Sequence, residues 1–512
     1  MIRPERGVAV PLVGLLLALA GCDAGAPPGL AITNARIVDG VGTAAVSGTV
    51  RVVDGRIAEV GAGIAPLSGD TVIDAGGLVL APGFIDTHSH ADFDLLERLD
   101  ATAAVSQGIT TLVVGQDGGS HHPLAEFRAR FEAAPATVNV ASYAGHNTFR
   151  ELVMGEDFRR EATPEEVAGM ARLLEADLAA GALGLSTGLE YDPGIYSATE
   201  EVVALARVAA DAGGRYLSHL RSEDRWFWEA VEEIIRIGEE TGMPVQITHA
   251  KLALQSLWGE VPRFLGRLEE ARAAGVDITL DVYPYPYWQS TLTVMFPERD
   301  FTDLEESRFV VSQMALPEGI LIPTYAPEPA YAGRTLASIA EERGEEPAVT
   351  LLELIRRAEA MRADPDLEPG TRVETVIATS MAEDDIAALF AWEHANLSTD
   401  GALFGAHPRG FGAFPRALRQ FVRERGILSL EEALRRMTSL AADHIGFADR
   451  GRIAPGMVAD LVLFDPETVS DRATPEAPHE LSVGIHRVLV GGETVFADGV
   501  VTDARPGVFL VR

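Results

Sequence analysis

Residues 80–90 read LAPGFIDTHSH, and the interpretation of the whole chain turns on this stretch. Its apolar body predicts a short buried strand, and the period of two along a strand places His88 and His90 on one face at its C-terminal end. Two imidazoles side by side at a strand mouth form half of a metal site. Further on, apolar strand-like runs alternate with amphipathic helix-like ones. The candidate strands end at His90, Gly118, His146, Gly188, Arg221, Lys251, Tyr285 and Gly401. Helix-like stretches at 163–180, 197–212 and 226–241 lie between them, and Thr163-Pro-Glu-Glu and Ser197-Ala-Thr-Glu have the composition of capping boxes. Eight strand-to-helix units predict an α/β fold, a (β/α)8 TIM-like barrel over 81–445 whose chemistry lies at the C-terminal strand ends.

Outside the barrel the texture changes. Residues 30–80 are short, β-branched segments separated by Asp-Gly and Gly-Gly turns, and residues 446–512 repeat that pattern in GRIAPGMVADLVLFDP and GIHRVLVGGETVFADG. Two strand-rich ends around a different middle predict one small β-sandwich built from both termini. The segment 286–396 is too long for a single loop, so it is expected to be an insertion with its own helices, at 336–343 and 350–362, hanging over the catalytic face.

The N-terminus reads as an export signal. Arg3 and Arg6 precede an apolar run over 8–20 that is too short for a comfortable membrane span. The run closes in Leu19-Ala20-Gly21-Cys22, which resembles a bacterial lipobox, with Cys22 as the lipidated residue after removal of 1–21. Residues 22–29 form a short tether. The expectation is an exported lipoprotein, touching a membrane only through its anchor, with its fold in the periplasm or another extracytoplasmic space.

Composition narrows the function classes. The 512 residues have a net charge of −34, which excludes a nucleic-acid binder of the usual basic kind. Cys22 is the only cysteine, so an intramolecular disulfide and every Cys-rich metal site are excluded, and any metal must be held by His, Asp or Glu. Lys251 is likewise the only lysine. At the candidate strand ends stand His88, His90, Asp117, His146, His219, His249, Lys251 and Asp400. Imidazole and oxygen ligands concentrated in one fold register are the donor set of a zinc-type hydrolase. His121, His122, His444, His479 and His486 lack that placement and read as structural.

This order of motifs resembles the amidohydrolase superfamily and, within it, the D-aminoacylases (N-acyl-D-amino-acid deacylases). The resemblance spans nearly the whole chain after Cys22: PGFIDTHSH, AGHNTFR, GALGLSTGLEYDPG, SHLRSE, ITHAK, LDVYPY, STDGAL, HPRGFGAFPR and GRIAPGMVADLVLFDP. It implies one or two Zn²⁺ ions, or another divalent metal, with His88, His90 and Asp400 at one position and His219 and His249 at the other. The better-known D-aminoacylases have a bridging Cys where this chain has Asp117, a harder ligand that can still bridge through its two oxygens. The resemblance further assigns the substrate carboxylate to Lys251, Arg409, Tyr283 and Ser290 with Tyr191 nearby, a catalytic proton shuttle to Asp400, and carbonyl polarisation or a supporting role to His146. The implied reaction is hydrolysis of the amide of an N-acyl-D-amino acid, a small-molecule substrate. A dipeptidase, a cyclic-amide amidohydrolase and an inactive lipid-anchored binding protein stand as alternatives.

Overall fold

The computed structural model describes residues 27–368 and 370–511. The expected signal peptide, Cys22 and most of the expected tether therefore lie outside the described residues. Among those described, no helix is long and apolar enough to cross a membrane.

Eight short parallel strands form the barrel: β1 Phe84–Asp86, β2 Ile109–Val114, β3 Asn139–Ser142, β4 Gly184–Gly188, β5 Arg215–His219, β6 Val245–Ile247, β7 Ile278–Val282 and β8 Ala395–Leu397. Parallel pairing runs from β1 to β3 and from β4 to β8. Ala144–Gly145, just beyond β3, pairs with β4 and joins the two arcs. The ring closes where Ser89 bridges Gly401 in parallel and Asp400 N–H donates to His88 O at 2.8 Å. Every residue of these strands is buried except Arg215, as expected for strands walled by helices on the outside and packed side chains within.

The helices form for legible reasons. In Pro164–Ala180, Thr163 Oγ1 accepts from Glu166 N–H, Glu166 Oε2 accepts from Thr163 N–H at 2.7 Å, and Gly181 closes the end at φ 110°. Phe227–Thr241 buries Phe227, Ala230, Val231, Ile234 and Ile237, an apolar stripe at helical spacing. The second expected capping box is absent. The next helix runs Thr199–Asp211 with Ala198 at its N-cap, because Ser197 Oγ donates to Gly194 O at 2.7 Å instead.

The β-domain built from both ends is present, its strands in one continuous nine-stranded sheet. The ends meet where Val79–Pro82 pairs antiparallel with Leu461–Phe464. The sheet curls over its own core of Ile32, Val50, Val52, Leu461 and Leu489, and an Arg56–Val458 bridge brings its far strand back toward the middle. The last residues leave this domain: Val140 N–H donates to Val508 O, and Leu510 N–H to Val140 O, so the C-terminal segment runs along barrel strand β3.

The insertion differs from a purely helical one. Besides helices Leu336–Arg343 and Pro347–Arg362 it holds a four-stranded antiparallel sheet of Tyr287–Ser290, Ile320–Tyr325, Arg334–Thr335 and Glu374–Thr379. It ends earlier than expected, because Glu383–Ala391 is the barrel helix that leads into β8. Arg299 ties the insertion to the β4 loop through Asp192 at 2.9 Å, and Trp258 of the β6 loop donates to Ser380 O at 2.9 Å.

Candidate metal centre

The strand ends converge on a cavity of about 320 Å³ that is roofed by the insertion. Its polar floor is positioned by buried hydrogen bonds one layer below. Asp281 Oδ1 accepts from His249 N–H at 2.9 Å and Ser398 Oγ at 2.6 Å, and its Oδ2 accepts from Gln246 Nε2 at 2.7 Å, so one carboxylate fixes the ends of β6, β7 and β8. Asp86 does the same between β1 and β8, accepting from Thr399 N–H at 2.9 Å. Asp117, His249 and Asp400 all adopt positive φ (52°, 35° and 50°), a conformation unfavourable for non-glycine residues; Asp281 holds the backbone of His249, and His88 O that of Asp400.

Two donor groups share one carboxylate. His88, His90, Asp117 and Asp400 present ligand atoms within 4.8 Å of one another, and so do Asp117, His219 and His249. Asp117 Oδ2 lies 3.6 Å from His88 Nε2 and 3.4 Å from His90 Nε2. Its Oδ1 lies 3.4 Å from His249 Nε2, so each oxygen faces a different group. Asp400 Oδ1 is 3.2 Å from His90 Nε2 and 3.5 Å from His88 Nε2. His219 Nδ1 points at His249 Nε2, 2.8 Å away.

Electrostatics and unsatisfied atoms show that this arrangement fits divalent cations. His88 is fully buried, yet neither ring nitrogen has a hydrogen-bond partner. Burial alone would lower the pKa of His90, but the Asp117 and Asp400 carboxylates push it up to about 10. Burial and the Lys251 ammonium oppose protonation of His249, yet Asp117, Glu223 and Asp400 push it to about 10 as well. The carboxylates thus make this pocket favourable for positive charge, and a metal ion bound there would take the place of any imidazole protons. All donors are imidazole nitrogen or carboxylate oxygen, the chemistry that suits zinc and its first-row neighbours.

The chain matches the Amidohydrolase family model over residues 71–496. It is 35% identical over 512 residues to the D-aminoacylase of Alcaligenes xylosoxydans xylosoxydans, covering 95% of this chain and 98% of that protein. It is 36% identical to the N-acyl-D-glutamate deacylase of the same organism, covering 94% and 96%. The crystal structure of N-acyl-D-glutamate deacylase from Bordetella bronchiseptica, complexed with zinc and a phosphonate mimic of the tetrahedral intermediate, superimposes with a TM-score of 0.83 at 35% identity over 94% of this chain and 99% of that one. The chain belongs to the amidohydrolase family, in its D-aminoacylase group.

Within this amidohydrolase site the structure brings together every metal-ligand candidate: His88, His90, Asp117, His219, His249 and Asp400. Arg409, Ser290, Tyr191 and Lys251 line the same cavity. Arg409 Nη1 lies 2.6 Å from Asp400 Oδ2, while its Nε–H is buried without a partner. Tyr283 is set back from the cavity wall, with Arg409 stacked 4.8 Å above its ring and its hydroxyl unpartnered.

Two expected roles need correction. Lys251 is not a free cation awaiting a substrate carboxylate, because its Nζ lies 2.7 Å from both Glu223 oxygens and 2.6 Å from His249 Nδ1. His146 does not face the cavity. It opens the helix His146–Met154, and that turn carries its Nε2 to Glu201 Oε1 at 2.7 Å, beside the buried Arg150. It is absent from the cavity lining, so polarising a substrate carbonyl is out of its reach.

Two carboxylates with no assigned role complete the centre. Glu190 Oε2 lies 3.0 Å from His219 Nε2, and Glu223 Oε1 lies 3.1 Å from His249 Nδ1, so each orients the ring whose other nitrogen faces Asp117 or its neighbour. Glu223 follows His219 by four residues and Glu190 precedes Tyr191, positions inside the SHLRSE and GLEYDPG motifs.

Proposed function

We propose that the protein hydrolyses the amide bond of N-acyl-D-amino acids, releasing a carboxylate and a free D-amino acid. The observation behind this reading is the placement of Asp400, whose carboxylate reaches the His88 and His90 nitrogens with one oxygen and the Arg409 guanidinium with the other. His88, His90, Asp117 and Asp400 would hold one divalent ion and Asp117, His219 and His249 a second, with zinc favoured by its presence in the relative's structure. A bound ion of this kind polarises the amide carbonyl and makes water acidic enough to attack it near neutral pH.

The chain's own groups supply the remainder. Burial would raise the pKa of Asp400, but Arg409, His249, His90 and His88 hold it well below the carboxylate range, so it is ionised and able to accept a proton from the attacking water. It returns that proton to the amide nitrogen, which must be protonated to leave as an amine. The unpartnered Arg409 Nε–H is the donor offered to the α-carboxylate, with Ser290 on the same wall. Tyr191 lies 4.3 Å from the His219 ring and its hydroxyl is kept neutral by burial, so it contributes a hydrogen bond and no charge. The insertion over the cavity limits bulk water, which strengthens each of these interactions.

Amine release from N-acetyl-D- and N-acetyl-L-amino acids, assayed with zinc supplied and then chelated, tests this reading. Release from the D series that chelation abolishes is the expected result, and activity confined to the L series would refute it. We also propose that Cys22 carries a lipid that holds the enzyme to a membrane with its fold outside the cytoplasm, on the strength of the LAGC sequence after an apolar run. Cys22→Ser should move the protein from the detergent phase to the aqueous phase in a partition experiment, and an unchanged partition would remove the anchor from the account.

A further inference from the structure

A second cavity, of about 210 Å³, lies at the opposite end of the barrel, among the starts of strands β5 to β8. Arg215 opens β5 and the metal-ligand candidate His219 ends it, so roughly 13 Å of strand separates the two cavities. The wall carries Arg215, Arg272 on the helix Val261–Ala273, Asp277 before β7, His394 before β8, and Asp443 and His444 on the helix Ser439–Ile445. None of these residues takes part in the chemistry proposed above.

The charges on this wall do not balance. Asp443 is taken by Arg452, whose Nη2 lies 2.8 and 2.7 Å from its two oxygens, and Asp277 lies 3.3 Å from Arg272 Nη1. Among the described residues Arg215 has no carboxylate within 4.0 Å, and its Nε is shielded from solvent without a hydrogen-bond partner. Gly446, at φ 87° just past the helix, lets the guanidinium approach, since a Cβ there would stand 3.1 Å from Arg215 Nε. His444 Nδ1 is likewise buried without a partner. Burial, and after it the charges of Arg215, His394 and Arg272, hold the pKa of His444 down to about 3, so the ring is neutral within a positive surround. A shielded guanidinium and a ring nitrogen with no acceptor are costly unless an anion answers them.

Arg215, His394 and His444 come from three separate segments, so they reach a guest from different sides. A carboxylate offers two oxygens in one plane, whereas a tetrahedral oxyanion offers acceptors in four directions, and guanidinium groups pair well with it. We infer that this cavity at the N-terminal end of the barrel binds a tetrahedral oxyanion of the phosphate class between Arg215 and His444. The probe is inorganic phosphate, titrated by calorimetry into the zinc-loaded protein, with acetate as the planar comparison. Phosphate should bind with a Kd below about 1 mM, and acetate about 10-fold more weakly or worse. R215Q, checked for native circular dichroism and zinc content, should weaken phosphate binding by about 10-fold or more, the effect of losing a charge-assisted hydrogen bond. H444L should weaken it as well, and decides the matter if R215Q fails to fold. Phosphate bound equally by wild type, R215Q and H444L would place the anion at the metal centre and overturn the inference. Acetate matching phosphate, or no phosphate binding at all, would overturn it too.

Discussion

Arg409 Nη1 lies 2.6 Å from Asp400 Oδ2, and both side chains are almost wholly buried. The pair ties the proposed proton carrier at the end of β8 to the proposed carboxylate anchor at the start of the helix Arg409–Ala417, so substrate binding and proton transfer share one electrostatic unit. Asp400→Asn keeps the shape and loses the base. Turnover should fall by about 10²–10⁴, with metal still bound through His88, His90 and Asp117. A variant with near-wild-type kcat would remove Asp400 from the mechanism.

Glu223 makes its own prediction. Burial would raise its pKa, but Lys251, His219 and His249 pull it down to about 2, so it faces the only lysine of the chain as a carboxylate. Glu223→Gln leaves the Lys251 ammonium buried without a counter-charge and should cost about 3–5 kcal/mol of stability in urea unfolding. Joining it to Lys251→Met should restore most of the loss, since a pair replaced together leaves no orphan charge. If the single variant unfolds at the wild-type midpoint, the contact is not a structural pair.

These two cases mark where the sequence was readable. The barrel could be read because strand and helix periods alternate cleanly from Phe84 onward, and because His88, His90, Asp117, His219, His249 and Asp400 all fall just after apolar runs. Glu190 and Glu223 escaped because carboxylates are common in a chain with 76 acidic residues, and nothing local distinguishes one that orients a histidine. His146 misled for a geometric reason: it too follows a strand, but helix begins on it, and that turn points the ring away from the barrel axis toward Glu201. The small sheet of the insertion was missed although its strands ILIPTY and ETVIAT have β-branched alternation, since its partners are separated by about fifty residues and pairing at that range has no local signature.

The capping box of Pro164–Ala180 predicts a pH dependence. Glu166 is held at a pKa of about 2 by the Arg160 guanidinium and the Thr163 N–H, below the value of about 4.3 expected in the unfolded chain. A group with a depressed folded-state pKa contributes stability above the unfolded value and loses it as pH falls through the folded one. The gap in unfolding midpoint between wild type and Glu166→Gln should therefore be widest near pH 6 and narrow steadily between pH 4 and 2, read by thermal melts. A gap independent of pH would show that the carboxylate charge contributes nothing.

Asp117 is placed to set how many ions the centre can hold. Its Oδ2 faces His88 and His90 while its Oδ1 faces His249, so removing it withdraws one ligand from each position at once. Without it the second group keeps only His219 and His249, too few to hold an ion tightly, whereas the first keeps His88, His90 and Asp400. Asp117→Ala should therefore lower the bound metal from two ions per chain toward one, measured by elemental analysis after dialysis against zinc, and weaken the remaining ion by more than about 10-fold. Asp117→Asn keeps one good oxygen donor and should fall between the two. Wild-type stoichiometry in Asp117→Ala would mean that the carboxylate only shapes the turn between Gln116 and Gly118, and that the two positions are held by the histidines and Asp400 alone.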